Sequence, residues 1–309
     1  MASPTSDDAP PADGAATPEE LRAFAERVLF SGDLAEVLRP PVGELCDVAP
    51  GPPQVVVEPK RPPSLIAATQ GAAERMPKLS RMQDAEARGI AHHVMANHEL
   101  QALEIMAATL LRHPEAPRDF RLGLARIMVD EQRHTRMHAA RGEKLGVPFG
   151  SRAVSAFIWR RSQQFTSVCD YLAGLPLVFE GANLDHSLEF EAAFLKAGDR
   201  RSAHVMRQIH DDEIEHVAFG IEWLRRLKPS HLSDWDAFVQ HLHQPLEPRK
   251  ARGRVFQEKA RRAAGLDADF IDRVRSARGG ETNTSAAASG GRGASATAGE
   301  PAACGEVSP

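Results

Sequence analysis

An all-α fold built on four long helices is what this sequence predicts, and three observations predict it. Apolar residues recur at spacings of three and four over stretches far longer than an ordinary strand. Short breaks containing Pro or Gly, such as HPEAP (113–117) and KAGDR (196–200), separate those stretches. Strand signals are weak throughout. With 309 residues the chain can bury a sizeable core, so folding needs neither disulfides nor a structural metal.

Taken in order, residues 1–17 are rich in Pro, Ala and Asp, and residues 278–309 are small and polar, so both read as disordered tails. Thr17-Pro18-Glu19-Glu20 offers a Thr N-cap and a Pro at the first helical position, predicting a short helix to about Phe30. Repeated prolines over 39–65 predict an extended surface arm, and 18–83 form one N-terminal unit. A first long helix is predicted from Asp84 to Arg112 and a second from Arg118 to Lys144, stopped by Gly146-Val147-Pro148. Val154–Lys196 holds a third, with interruptions expected near Pro176 and at Gly181-Ala182-Asn183. Arg200–Leu227 is the fourth, closing a bundle of residues 84–227. Short helices over Ser233–His241, Arg254–Ala263 and Asp267–Arg275 make a C-terminal extension, 228–277.

Composition narrows the function classes. The chain carries 38 basic and 42 acidic residues, a net charge of −4, which provides no global attraction for nucleic acid. Seven basic residues and one acid in 249–262 form a local patch, read as a solvated amphipathic helix or as a grip on phosphate or RNA. Neither a signal peptide nor a membrane span is visible. Cys46, Cys169 and Cys304 are odd in number and widely spaced, which fits neither a zinc motif nor a secreted disulfide framework. The expected location is the cytoplasm.

The chemistry lies in a repeated spacing. Glu131 and His134 on the second long helix stand three apart, as do Glu213 and His216 on the fourth, and Asp130 or Asp212 precedes each Glu. Positions i and i+3 share one helix face, so both side chains of a pair can reach one ion. Each pair's hairpin partner supplies a carboxylate at matching height. Glu99 lies 32 residues before Glu131 and Glu180 lies 33 before Glu213, with midpoints in or at the edge of the turns 113–117 and 196–200. Glu104 competes with Glu99 or stands behind it, whereas Glu189 and Glu191 fall past the turn when paired with Glu213. Four carboxylates and two imidazoles in a bundle centre require cations, and this oxygen/nitrogen set suits iron or manganese. His98 and His138 read as histidines that line the site or, as is commoner for a lone histidine beside a ligand helix, as structural or solvated ones; Tyr171 reads as a core residue ahead of a radical role, and the cysteines as inert.

Glu plus ExxH, given twice on four helices, resembles the ferritin-like di-iron carboxylate pattern. Asp130-Glu131-Gln132-Arg133-His134 also resembles the DExRH form of bacterial multicomponent monooxygenases, although Glu215 replaces the Arg in the second copy. That resemblance implies that Asp130 holds His216 and Asp212 holds His134. The order of Pro-rich arm, HELQALE, HPEAPRDFR, DExRH, LGV and DExxH is similar to a bacterial ferritin-like family catalogued as domain of unknown function 455, over roughly residues 18–227.

The resemblance implies metal ligands Glu99, Glu131, His134, Glu180, Glu213 and His216 around two iron ions, or Mn/Fe, with O2 as co-substrate. The expected activity is that of a non-haem di-iron oxidase or monooxygenase acting on a small molecule, in a monomer or small homo-oligomer. No NAD or flavin motif is visible, so electrons would come from a separate reductase or ferredoxin. Two other classes compete. A tRNA-type hydroxylase would use 249–262 to grip RNA. A ferritin-type iron-handling protein would form a cage, which the arm and the C-terminal helices disfavour.

Overall fold

The structure, a computed structural model, describes residues 18–69 and 71–278. The tails, and Thr17 with them, lie outside the described residues apart from Arg278. The chain is all-α: the only strands among the described residues are β1 (Glu19–Glu20) and β2 (Leu45–Cys46), a parallel pair. This pair corrects the expected helix start at Thr17-Pro18. Glu19 and Glu20 are extended and paired with the arm, Arg27 clasps the Glu19 carboxylate, and α1 begins at Leu21 and runs to Phe30. A four-residue helix unforeseen in the sequence, α2 (Leu34–Val37), follows, capped by Asp33.

Helix α3 (Ala85–Arg112) opens on an Asp84 side chain that accepts the Glu86 N–H, satisfying an otherwise orphaned donor. It is buried on nearly all faces, because α1 packs on one side and α4 (Arg118–Lys144) on another. The buried Arg121 guanidinium fixes the turn between α3 and α4. It donates to the carbonyls of Leu110 and of the C-cap residue His113 at the end of α3, and to the Asp47 carboxylate on the arm. The arm is pinned a second time by Arg61, which donates to Glu104 and Asn97 on α3.

The crossover contains α5 (Phe157–Ser162) and α6 (Val168–Gly174), the latter started by a Ser167/Asp170 capping box. At Pro176, which has no N–H to give, the chain widens into a π-helical segment, Leu175–Glu180, where the Gly181 N–H reaches back to the Pro176 carbonyl. The break expected at Gly181-Ala182-Asn183 is absent: α7 runs unbroken from Gly181 to Lys196. Gly198, at φ +77°, makes the turn into α8 (Arg200–Leu227), which packs along α7 as α4 does along α3. The two hairpins meet where α4 touches α8.

Helices α9 (Asp234–Gln240), α10 (Glu258–Ala263) and α11 (Ala268–Ser276) close one end around Trp235, Phe238 and Phe270. The expected helix from Arg254 starts late. Glu189 and Asp185 carboxylates capture the backbone N–H groups of Gly253, Arg254, Val255 and Gln257 and hold that stretch out of the helix.

Where α8 crosses the π segment, Gly220 has no room for a side chain, since a Cβ would stand 2.5 Å from the Pro176 Cβ. Gly220→Ala ordinarily gains about 1 kcal/mol in a helix interior. Here the sign is expected to reverse to a loss of about 1–3 kcal/mol through overpacking, read as a lower urea midpoint.

Candidate metal centre

Four elements converge on one buried cluster. Glu99 comes from α3, Glu131 and His134 from α4, Glu180 from the last residue of the π segment, and Glu213 and His216 from α8. None of the six is more than 6% exposed. Ligand atoms of Glu99, Glu131 and His134 lie within 4.8 Å of one another, and so do those of Glu131, Glu180 and His216. Glu131 belongs to both groups and stands between the imidazoles: its Oε2 is 3.6 Å from His134 Nδ1 and its Oε1 3.2 Å from His216 Nδ1. Glu213 Oε2 lies 3.6 Å from His216 Nδ1.

Outward-facing nitrogens are braced across the hairpin interface. His134 Nε2 is 3.0 Å from Asp212 Oδ2, and His216 Nε2 is 3.5 Å from Asp130 Oδ2. Arg133 donates to both aspartates, at 2.8 Å and 2.9 Å, and so ties the braces into one unit. Sequence reasoning gave Arg133 no role, although it is the Arg of the DExRH stretch. Asn183, read only as a helix interruption, donates to Glu213 Oε1 at 2.9 Å, and nothing in its spacing signals this.

The inward-facing atoms are unpaired. Both Glu131 oxygens, His134 Nδ1, His216 Nδ1, Glu180 Oε1 and Glu213 Oε2 are buried without hydrogen-bond partners. Such desolvated groups cost free energy unless something binds them. All are carboxylate oxygens or imidazole nitrogens, donors suited to a divalent ion of the iron or manganese type, so the residues fit a metal pair.

Without metal, protons do part of that work. Burial pushes the Glu99 carboxyl well above its usual range, reinforced by Glu131, and burial does the same to Glu180, reinforced by Glu213. Burial acts on Glu131 too, but contacts with His134 and His216 outweigh it and hold Glu131 far below the usual range. Burial opposes charge on the imidazoles, yet Asp212 and Glu131 raise His134 to about 9, and Asp130 and Glu131 raise His216 well above its ordinary value. A cation entering the cluster therefore displaces protons.

The competing carboxylates lie elsewhere. Glu104, weighed against Glu99 in the sequence, is bound by Arg61, 2.5 Å away, and belongs to neither ligand group. Glu189 holds the backbone of Arg254 and Val255, and Glu191 pairs with Arg207. Tyr171 is buried against Phe120, close enough to Glu180 and Glu131 that, after burial itself, their charges push its hydroxyl pKa well above normal.

A cavity of about 580 Å³ reaches the cluster. Met95, Phe190, Met206 and Ile209 supply apolar wall, while Glu99, His98, His138 and Asn183 are among its polar residues, with the charged Lys78, Glu189 and Arg254 also on its lining. Burial lowers the His98 pKa to about 4, so that imidazole is neutral.

A family model described as a protein of unknown function, DUF455, matches residues 22–272. No curated protein and no solved structure matches the chain significantly.

Proposed function

The chain belongs to the DUF455 family of proteins of unknown function, and from its buried carboxylate–histidine cluster we propose that it is an O2-dependent di-metal oxidoreductase with a ferritin-like four-helix bundle, acting on a small, largely apolar molecule. The observation that carries this reading is the set of unpaired, inward-facing oxygens and nitrogens whose imidazoles are braced from behind.

Glu99, Glu131 and His134 would hold one ion, and Glu131, Glu180 and His216 the other, with Glu213 completing the second set. A reduced iron pair, or a Mn/Fe pair, would supply the electrons that activate O2. The protein's own part is positional. Asp212 and Asp130 accept from the Nε2–H of His134 and His216, fixing the tautomer that leaves each Nδ1 free. Arg133 donates to both aspartates and keeps them aligned. The largely apolar cavity wall would seat a substrate beside Glu99. Reduction would draw on a separate donor protein.

The cavity favours this reading over iron storage, which has no use for a substrate-sized chamber. The RNA reading is weakened by the basic segment itself. Arg261 is buried on Asp185, Arg249 pairs with Glu247, Arg262 pairs with Glu258, and Lys250 and Arg252 donate to backbone carbonyls. No helix among the described residues is long and apolar enough to cross a membrane.

Anaerobic Fe(II) titration followed by an O2 pulse tests the proposal. Iron uptake is expected to saturate at the two groups found here, with further O2 consumption dependent on added reductant and stimulated by apolar compounds. Continued iron oxidation and accumulation without reductant would assign the protein to iron handling instead.

A further inference from the structure

His138 has the marks of a ligand. It lies on α4 one turn beyond His134 and two turns beyond Glu131, on the same face, and is 0% exposed. Its Nδ1 is 2.8 Å from His92 Nδ1, while its Nε2 has no hydrogen-bond partner and lies 3.6 Å from Glu99 Oε1. The same 3.6 Å separates His134 from Glu131 and His216 from Glu213.

Hydrogen-bond bookkeeping fixes which His138 nitrogen is bare. Asp199 receives Arg88 at 3.0 Å and Arg141 at 2.7 Å, is ionised, and can only accept. Ser202 Oγ therefore gives its one proton to Asp199, 2.9 Å away, and itself accepts from Arg141 Nε and from His92 Nε2–H, each at 2.9 Å. Burial, and then Arg141, hold His92 neutral, so its Nδ1 carries a lone pair and accepts the proton of His138 Nδ1. An imidazole that ligates a metal carries a single N–H; that of His138 is spent on His92, and its Nε2, without a hydrogen-bond partner, faces a Glu99 carboxylate oxygen. Two lone pairs so placed need a proton or a metal ion between them, and a metal ion displaces the proton that a buried Glu99 otherwise takes up. A separation of 3.6 Å suits two ligands with bonds of about 2.1 Å to one ion, roughly 120° apart.

We propose that His138, whose Nε2 reaches Glu99 but stands outside the 4.8 Å group that Glu99 forms with Glu131 and His134, is a third histidine ligand that closes through Nε2 onto the ion those residues hold, with its tautomer set by the His92–Ser202–Asp199 chain. This assignment rests on the di-metal reading above. It makes the two ions unequal: the one carrying two imidazoles is the one whose ligands Glu99 and His138 line the cavity.

Co(II) loading of the full chain tests it by proton NMR in water, counting solvent-exchangeable, hyperfine-shifted imidazole N–H signals. Three are expected in the wild type, from His134, His216 and His138, and His138→Gln should remove one. Ser202→Ala should keep all three while weakening Co(II) affinity by roughly 10–100-fold, as loss of a partner behind a ligand does. Two signals in the wild type, or a third that survives His138→Gln, would overturn the assignment and leave the metal pair intact. A wild type that takes up no Co(II) would instead overturn the di-metal reading, and this assignment with it.

Discussion

Glu131→Ala is expected to abolish binding of both ions. Glu131 is the one residue common to the two ligand groups, with one oxygen toward each imidazole. Its loss should weaken Mn(II) affinity by well over the roughly 10–100-fold that follows removal of a partner behind a ligand. Asp212→Asn, which disturbs only the brace on His134, should fall inside that range. Thermal unfolding with and without Mn(II) separates a metal site from a merely structural polar network. An ion at about 100 times its dissociation constant stabilises the native state by about 2.7 kcal/mol. The wild type should show such an upward shift and Glu131→Ala none.

Arg261→Met is expected to produce the largest loss of stability, about 3–5 kcal/mol, because it strands the Asp185 carboxylate in the interior. Arg261 and Asp185 are 2% and 0% exposed and meet at 2.7 Å, and the guanidinium also donates to the Gly181 and Ala251 carbonyls. The ring of Phe256 covers its other face, 4.0 Å from the guanidinium carbon. Gly181 directly follows Glu180, so the same change should loosen that ligand and lower metal affinity. The neighbouring Arg262→Met, on an exposed pair with Glu258, should leave the urea midpoint unchanged. Equal midpoints for the two variants would contradict the anchoring role given to Arg261.

The long helices could be read from sequence because their limits are local. Asp84 and Asp199 cap α3 and α8, Gly198 needs the left-handed conformation it occupies, and the breaks at 113–117 and 196–200 lie where the helices stop. The six clustered residues were legible because helical rise is uniform: equal distances from a turn place Glu99 opposite Glu131 and Glu180 opposite Glu213. What escaped was set by distant partners. Glu19 and Glu20 are drawn into a strand by residues 45 and 46, and the 253–257 stretch is held out of the helix by carboxylates on α7. His138 looked unremarkable for the same reason. Its tautomer depends on His92, 46 positions away, and on Ser202 and Asp199 beyond it. The Arg133 clamp likewise exists only once two helices have met.

The central claim is that the buried cluster is a metal pair, and the most direct measurement of it is metal content per chain. Untagged protein should be analysed by inductively coupled plasma mass spectrometry, as purified and after anaerobic Fe(II) or Mn(II) loading and desalting. The account predicts two ions per chain, one for each ligand group, and their loss in Glu131→Ala. Metal absent after loading, or retained equally by Glu131→Ala, would contradict it.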